Sequence, residues 1–218
     1  MSRIAMSRTA SSHAATTSRE FFEQKYRQSA DPWSFASSEY EQRRYATIIG
    51  HIDLGRFDRV LEPGCSIGEL TAQLADRCGH VTAIDIAASA VAVARARCAG
   101  LDNVEIEQAS LHDGLPPGPF DLIVFSEIGY YFDEDAVRWL AGEMTRRLDI
   151  GGWLIAAHWT GESLDHVLAG PAVHEVLARQ SGLEHIVHEE HVPANVSDDG
   201  FVLDIWKRSA SNRSAALE

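Results

Sequence analysis

The sequence predicts an α/β fold. It reads as a doubly wound, seven-stranded, mostly parallel sheet with one antiparallel strand, preceded by a helical segment that acts as a lid. Three observations predict it. Strand and helix patterns alternate from residue 59 onward. The most apolar run, Phe120 to Ser126, suits a central strand buried on both faces. Two further strands then close the chain with only a loop between them. Alternation of this kind requires crossovers, and crossovers give a parallel sheet with helices on both faces.

Glu20 to Arg27 reads as a helix, ended at Asp31-Pro32-Trp33 because proline drives the residue before it out of the helical region. Ser38 to Ile52 is the next helix, with Tyr45, Ile48, Ile49 and Ile52 spaced to share one face. Arg59 to Glu62 is the first strand, followed by a glycine turn and a helix from Glu69 to Cys78. His80 to Ile86 and Ser89 to Cys98 form the second strand and helix, and Val104 to Gln108 the third strand. Phe120 to Ser126 is the fourth. Asp135 to Leu148 is helical, and Gly151-Gly152 is read as its stop. Trp153 to Trp159 is the fifth strand and Pro171 to Ser181 the last helix. Leu183 to Val192 and Phe201 to Arg208 form a closing hairpin joined by Pro193 to Gly200.

The 218 residues are 45% hydrophobic and 23% charged, enough for one domain with a full core. Residues 20–208 are read as that domain, with the lid at 20–52, a flexible arm at 1–19 and a flexible tail at 209–218. The arm carries Arg3, Arg8 and Arg19 among Ser, Thr and Ala, but lacks the apolar stretch of a secretory signal. The net charge of −13 disfavours nucleic acid and anionic membrane as partners and suits a neutral or cationic small molecule. Cys65, Cys78 and Cys98 are too few for a disulfide scaffold, so a reduced, cytoplasmic setting is expected. Lys25 and Lys207 are the only lysines among 19 basic side chains, a bias that hints at a GC-rich bacterial genome.

Glu62-Pro-Gly64-Cys-Ser66-Ile-Gly68 joins the first strand to its helix, where glycine permits a sharp turn and close approach of a ligand to the main chain. Ser66 replaces the middle glycine of the usual dinucleotide triplet, and no phosphate-loop Gly-Lys follows. Glu62, before the first glycine, would repel a pyrophosphate. Asp85 ends the second strand, where an acid can accept both hydroxyls of a ribose. A cofactor with a ribose and a cationic end fits this pattern better than a nicotinamide dinucleotide.

Val60-Leu-Glu-Pro-Gly-Cys-Ser-Ile-Gly68, Thr82-Ala-Ile-Asp85, Phe120-Asp-Leu-Ile-Val-Phe-Ser-Glu127 and Leu148-Asp-Ile-Gly-Gly-Trp-Leu154 resemble the successive motifs of class I S-adenosylmethionine-dependent methyltransferases, a Rossmann-like fold. Within that superfamily, Asp31-Pro-Trp33, Glu41-Gln-Arg-Arg44-Tyr45 and Glu127 with Tyr130-Tyr131 are similar to the NodS nodulation family, whose members methylate the free amine of a chitooligosaccharide. The resemblance implies roles at matching positions. Gly64 and Gly68, with Cys65 and Ser66 between them, would face S-adenosylmethionine. Glu62 would hold the methionine amino group, Asp85 the ribose, and Ile86 would lie against the adenine. Ser110 and Leu111 fall where the family places an acid on the adenine amine, and Ser110 departs from that pattern. Trp33 and Arg44 would close over the methionine end, with Arg44 pairing its carboxylate; a plain aromatic plug is the other reading of Trp33.

Methyl transfer from a sulfonium asks the protein to place the acceptor and manage one proton. Ser126 and Glu127 close the fourth strand, where ligands collect in an open α/β sheet. Glu127 is read as the group that receives a cationic amine, with Tyr130 and Tyr131 shaping the acceptor pocket. His158, ending the fifth strand, is the imidazole candidate for a base, and a structural histidine is its other reading. Asp165, His166 and His174 stand on the substrate side. Along Glu184-His185-Ile-Val-His188-Glu-Glu-His191, strand alternation puts His185 and His191 on one face and His188 on the other, so no metal site is expected. N-methylation of an amino sugar is the leading reading, O-methylation of a small metabolite through His158 the near alternative. A nicotinamide oxidoreductase and a cofactor-binding pseudoenzyme are the readings from other classes. The oligomeric state is left open.

Overall fold

The computed structural model describes residues 18–210, apart from residue 54 and residues 193–199. The expected loop Pro193 to Gly200, the arm up to residue 17 and the tail from residue 211 therefore lie almost wholly outside the described residues. Seven strands form one sheet in the order β3-β2-β1-β4-β5-β7-β6. They are β1 (Arg59–Pro63), β2 (His80–Asp85), β3 (Val104–Gln108), β4 (Phe120–Ser126), β5 (Leu148–Trp159), β6 (Leu183–His191) and β7 (Phe201–Arg208). All neighbours are parallel except at β7, which runs antiparallel to both β5 and β6. The helices are α1 (Arg19–Gln28), α2 (Glu39–Ile52), α3 (Glu69–Ala75), α4 (Ala88–Arg97), α5 (Glu134–Arg147) and α6 (Gly170–Ala178).

Strand alternation divides the core. Leu61, Ile123, Phe125, Leu154, Ala156 and Trp206 meet α5 and α6 through Val137, Leu140, Met144, Val173 and Leu177. Val60, Leu122, Val124, Ile155, Leu203 and Ile205 meet α2 and α3 through Ile48, Ile52, Leu70 and Leu74. The stripe of isoleucines read in α2 is thus a wall of the core, capped by Ser38 at its N-terminus. The expected lid divides here: α2 is packed into the body, and α1 with residues 29–38 lies across the mouth of the cleft described below.

Gly151-Gly152 does not stop α5. Leu148 is already extended and pairs with Phe120, so β5 begins at the residue after the helix. The glycines sit inside β5, where Gly151 takes φ +85° and the register shifts before Trp153 pairs with Leu122. A second irregularity lies in β6. His185 pairs with Trp206, Val187 with Ile205 and His188 with Asp204, so Ile186 is the extra residue of a bulge. That bulge brings His185 and His188 onto one face and overturns the split expected from simple alternation. His185 Nε2 and His188 Nδ1 both reach Asp204 Oδ1, at 2.5 and 2.9 Å.

Candidate active site

Between β1 and α3 the chain turns through Gly64. This residue takes φ +76°, and a Cβ on it would lie 2.3 Å from Ile128 Cδ1, so only glycine fits beneath the turn after β4. The amides of Gly64 and Cys65 donate to Ile84 O at 2.7 and 3.0 Å and tie the turn to β2. Asp85 then fastens it from the other side: its Oδ2 accepts Ser66 N–H and its Oδ1 accepts Ala87 N–H, both at 2.9 Å. Burial pushes the Asp85 carboxyl up to about 6, against the opposing pull of backbone N–H groups of Ala87, Ser66 and Ile86. Each carboxylate oxygen keeps a lone pair for a further donor.

A cleft of about 490 Å³ opens over the C-terminal ends of β1, β2 and β4, lined by Trp33, Ser66, Asp85, Ile86, Glu127 and Tyr131 among others. Its size is that of an ordinary ligand pocket. Two recesses continue from it. One of about 40 Å³ is bordered by Arg44, Glu62, Gly64, Cys65, Ser126 and Glu127. The other, of about 30 Å³, is bordered by Asp85, Ile86, Ser110, Leu111, Ile128 and Tyr131. Predicted residues scattered from position 33 to position 131 thus converge on one cavity with a carboxylate at each end. Gly68 is the exception. It lines none of these cavities, and a Cβ there would meet Ala94 Cβ at 3.0 Å, so its glycine serves the packing of α3 on α4. Cys65 likewise turns its buried thiol toward Ala83, Val91 and Ala94.

The first recess is built by α2 and α3 against the strands. Thr71 Oγ1 donates to Glu62 Oε2 at 2.6 Å. Burial pushes the Glu62 carboxyl up to about 8, with Thr71 and Arg44 opposing the shift. Arg44 is fully buried; its Nη1 donates to Ser126 Oγ and its Nη2 to Glu41. Its Nε lies 3.9 Å from Glu127 Oε1 and makes no hydrogen bond. Arg44 is therefore the strut between α2 and β4, with its Nε–H left unpaired.

Glu127 takes φ 54°, an uncommon conformation for a side-chain-bearing residue, at the point where β4 leaves the sheet. Its Oε1 accepts Trp159 N–H at 2.7 Å and Tyr40 Oη at 3.3 Å, and its Oε2 accepts Tyr130 Oη at 2.8 Å. The carboxylate is pinned where the cleft meets the first recess. Tyr131 borders the cleft and packs edge-on against Phe22 at 4.9 Å; burial raises its phenol far above the ordinary range.

His158 is not placed to act as a base. Like Leu154 and Ala156 it alternates onto the α6 side of β5, and it is fully buried. Its Nε2 accepts Gly129 N–H at 3.0 Å and its Nδ1 meets His174 Nε2 at 3.0 Å, so both nitrogens are occupied. Burial holds its pKa well below the ordinary value, with His174 adding to the effect. His174 leaves the substrate side with it, since its Nδ1 reaches Asp204 Oδ2 at 2.6 Å. Asp165 and His166, by contrast, do line the cleft. The His166 ring stacks on Tyr130 at 3.7 Å, and its Nδ1 is buried without a hydrogen bond.

Residues that sequence reasoning missed come mostly from α1 and α2. Phe22 and Tyr26 line the cleft, and Tyr26 Oη donates to Ser66 Oγ at 2.5 Å. Trp33 packs on Tyr26 at 5.5 Å and Phe35 at 5.8 Å, which makes it part of an aromatic cluster as well as a cleft wall. Tyr40 holds Glu127 across 87 positions of sequence. Aromatic residues on a short helix carry no mark that separates lining from core, so no local signal would have found them.

A sequence model of the family described as Nodulation protein S (NodS) matches residues 15–147, which ends with α5. The chain is similar to Nodulation protein S of Rhizobium tropici, with 30% identity over 127 residues covering 57% of this chain and 53% of that protein. It spans about half the length of the curated relatives it matches. Its fold is similar to the crystal structure of N-methyltransferase NodS from Bradyrhizobium japonicum WM9 in complex with S-adenosyl-L-homocysteine. That likeness has a TM-score of 0.77 at 23% identity and covers 89% of this chain and 99% of the other. A Burkholderia thailandensis 1,6-didemethyltoxoflavin-N1-methyltransferase, with bound 1,6-didemethyltoxoflavin and S-adenosylhomocysteine, gives a TM-score of 0.72 at 17% identity, covering 94% of each chain.

Proposed function

The chain belongs to the NodS family and has the Rossmann-like fold of class I methyltransferases, and from that premise we propose that it is an S-adenosylmethionine-dependent N-methyltransferase acting on the amine of an amino sugar or small oligosaccharide. The observation that carries the reading is Glu127, a carboxyl group pinned by three hydrogen bonds in a left-handed backbone at the junction of the cleft and the Arg44–Glu62 recess.

The residues fit the cofactor. Asp85 would offer its carboxylate to the ribose, and Ile86, Ser110 and Leu111, which border the cleft and its second recess, would lie along the adenine. The unpaired Arg44 Nε is a donor for the methionine carboxylate, and Glu62 a partner for its ammonium. When bound, the cofactor supplies an electrophilic methyl group on a sulfonium. Glu127 would draw a cationic amine to the junction of the cleft and the first recess, and its pinned carboxyl would hold the amine there. The amine must lose a proton to expose its lone pair, and the Glu127 carboxyl that receives it is the group assigned to take that proton. Tyr130, Tyr131 and the Ser163–His166 loop shape the acceptor side and exclude water.

The test is a thermal-shift panel followed by transfer assays. S-adenosylhomocysteine should raise the unfolding midpoint and NAD should not. Mass spectrometry should then show a single added methyl on the amine of a partly deacetylated chitooligosaccharide. A stabilising NAD and an inert S-adenosylhomocysteine would overturn the reading. A second reading rests on His166, whose buried, unpaired Nδ1 beside Tyr130 could serve a hydroxyl acceptor. In that case His166→Ala cripples turnover and Glu127→Gln is mild.

A further inference from the structure

A second cavity lies at the β6 edge of the sheet. It measures about 530 Å³ and is walled by α6, β6 and β7, with His174, His185, His188, Val192, Asp204 and Trp206 among its lining. One nitrogen each from His185 and His188 and one carboxylate oxygen of Asp204 lie within 4.8 Å of one another. None of them takes part in the methyl-transfer site. We propose that His185 Nε2, His188 Nδ1 and the Asp204 carboxylate form a binding site for a borderline divalent metal ion of the zinc, nickel or cobalt type, with at least one coordination position open to the cavity.

The donor set points to that class of ion. Two imidazoles with one carboxylate suit zinc and its first-row neighbours, whereas calcium and magnesium ask for a shell of oxygens. The carboxylate is fixed from behind. Gly129 N–H donates to His158 Nε2, so the His158 proton sits on Nδ1 and is given to His174 Nε2. The His174 proton is then on Nδ1 and is given to Asp204 Oδ2 at 2.6 Å. Four groups in a line thus leave Oδ1 of a buried aspartate as the oxygen that faces the two outer histidines.

The histidines are supported too. His188 Nε2 lies 3.5 Å from Glu190 Oε1, which leaves Nδ1 directed at the site, the carboxylate–histidine arrangement that orients metal ligands elsewhere. The side chains of His185 and His188 are 45% and 51% exposed, so an ion reaches them from solvent and they can swing to open the site. They now stand 2.5 and 2.9 Å from Oδ1, closer than two ligands of one ion. Ligands about 2.0–2.1 Å from a tetrahedral ion stand about 3.3 Å apart, so His188 must move out by about 0.4 Å and His185 by about 0.8 Å, which half-exposed side chains can do. The bulge at Ile186 is what makes the site; without it His188 would face away.

The experiment uses the full chain free of any affinity tag and stripped with chelator. Titration calorimetry with zinc and with nickel should give one ion per chain, and His188→Ala should weaken binding by about 100-fold or more. Glu190→Gln should weaken it by about 10-fold, the smaller effect of losing an orienting partner. A tenfold excess of magnesium should not compete. Crystals soaked in zinc should show anomalous density between His185, His188 and Asp204. His185→Ala and His188→Ala change half-exposed side chains, and circular dichroism checks that each variant is folded before titration. Zinc binding that survives both substitutions within threefold, density at another set of residues, or no binding at all would overturn the proposal.

Discussion

The two ends of the sheet hold their carboxylates in opposite ways. At the β1–β2 end, Asp85 and Glu62 are buried with neutral donors, backbone N–H groups and the Thr71 hydroxyl, and burial outweighs them and drives the carboxyls up to about 6 and about 8. At the β7 end, burial also opposes the charge of Asp204, yet hydrogen bonds from His174, His188 and His185 pull its carboxyl down to about 2. The lesson concerns what each is ready for. A desolvated acid with spare lone pairs is ready for a ligand that brings its own donors, whereas an acid already wrapped in imidazoles is part of the scaffold and exposes only its outer oxygen.

The strongest way to break that comparison is to remove one acid at a time. Asp204→Ala strands the His174 proton in the core and should cost about 3–5 kcal/mol of stability in metal-free protein, read by urea denaturation. Affinity for S-adenosylhomocysteine, measured at a temperature where the variant is folded, should stay within threefold. Asp85→Ala should do the reverse. It should weaken S-adenosylhomocysteine by about 2–4 kcal/mol in calorimetry, because both ribose hydroxyls lose a charge-assisted partner. Equal losses of affinity in both variants would mean that the two ends are not separate.

Glu127 and His158 sharpen the same contrast along β4 and β5. Glu127→Gln should lower turnover on an amine acceptor by about 10²-fold with little change in cofactor affinity. His158→Ala should lose about 2–3 kcal/mol of stability, since Gly129 N–H and His174 are left unpaired, while turnover per folded molecule changes little. A crippled His158→Ala enzyme of normal stability would restore the imidazole to the chemistry.

The sequence was most readable where structure is set by near neighbours. Val104 to Gln108, Phe120 to Ser126 and Phe201 to Arg208 appear as strands with the bounds expected of them, because their apolar patterns decide both pairing and burial. Glu62 and Asp85 line the cleft and its first recess as expected, because a strand end and a glycine turn are local signals. The histidines were misplaced for the opposite reason. Whether His185 and His188 share a face depends on a bulge that exists only once β6 has paired with β7, and the exposed Ile186 gives no local sign of it. Gly151-Gly152 looked like a helix stop, and it is a kink in a strand that pairing with β4 holds in place. Arg44 to Ser126 and Tyr40 to Glu127 span more than 80 positions, and nothing but the folded sheet brings them together.

A smaller effect tests the raised acids directly. Glu62 ionises near 4.5 in an unfolded chain and near 8 in the fold, so the folded protein keeps a proton that the unfolded chain has lost. Its contribution to stability is therefore complete below about 4.5 and is lost as pH rises through about 8. A ligand ammonium prefers the ionised form, so binding expels that proton. Affinity for S-adenosylhomocysteine should rise with pH between about 6 and 8, by at most about tenfold per unit. Calorimetry at pH 7 in buffers of different ionisation enthalpy should show proton release on binding, and uptake or no exchange would refute the assignment.

The smallest predicted effect concerns α1, which bridges the comparison because it touches the cleft without belonging to the sheet. Its hold on the body includes Tyr26 Oη–H on Ser66 Oγ, Ser89 Oγ–H on Glu23 at 2.5 Å, the packing of Tyr26 with Ile67, Ala87 and Ala90, and Phe22, which meets Trp33 of the following loop over the cleft. The loop beyond it is braced by Asp31, whose carboxylate accepts the amides of Phe35 and Ala36 at 2.8 and 2.9 Å. If this segment closes over the cofactor, chymotryptic cleavage at Trp33 or Phe35 requires local opening, and a bound ligand slows it in proportion to its occupancy. Tyr26→Phe removes one hydrogen bond of about 1 kcal/mol and should speed that cleavage about fivefold in the free protein. Global stability should move by no more than the same amount. Because Ser66 N–H remains on Asp85, the turn itself stays in place, and S-adenosylhomocysteine should still protect the variant. Cleavage at one rate with and without ligand, in both proteins, would make α1 a fixed rim of the cleft and leave α2 and the sheet as the whole of the binding machinery.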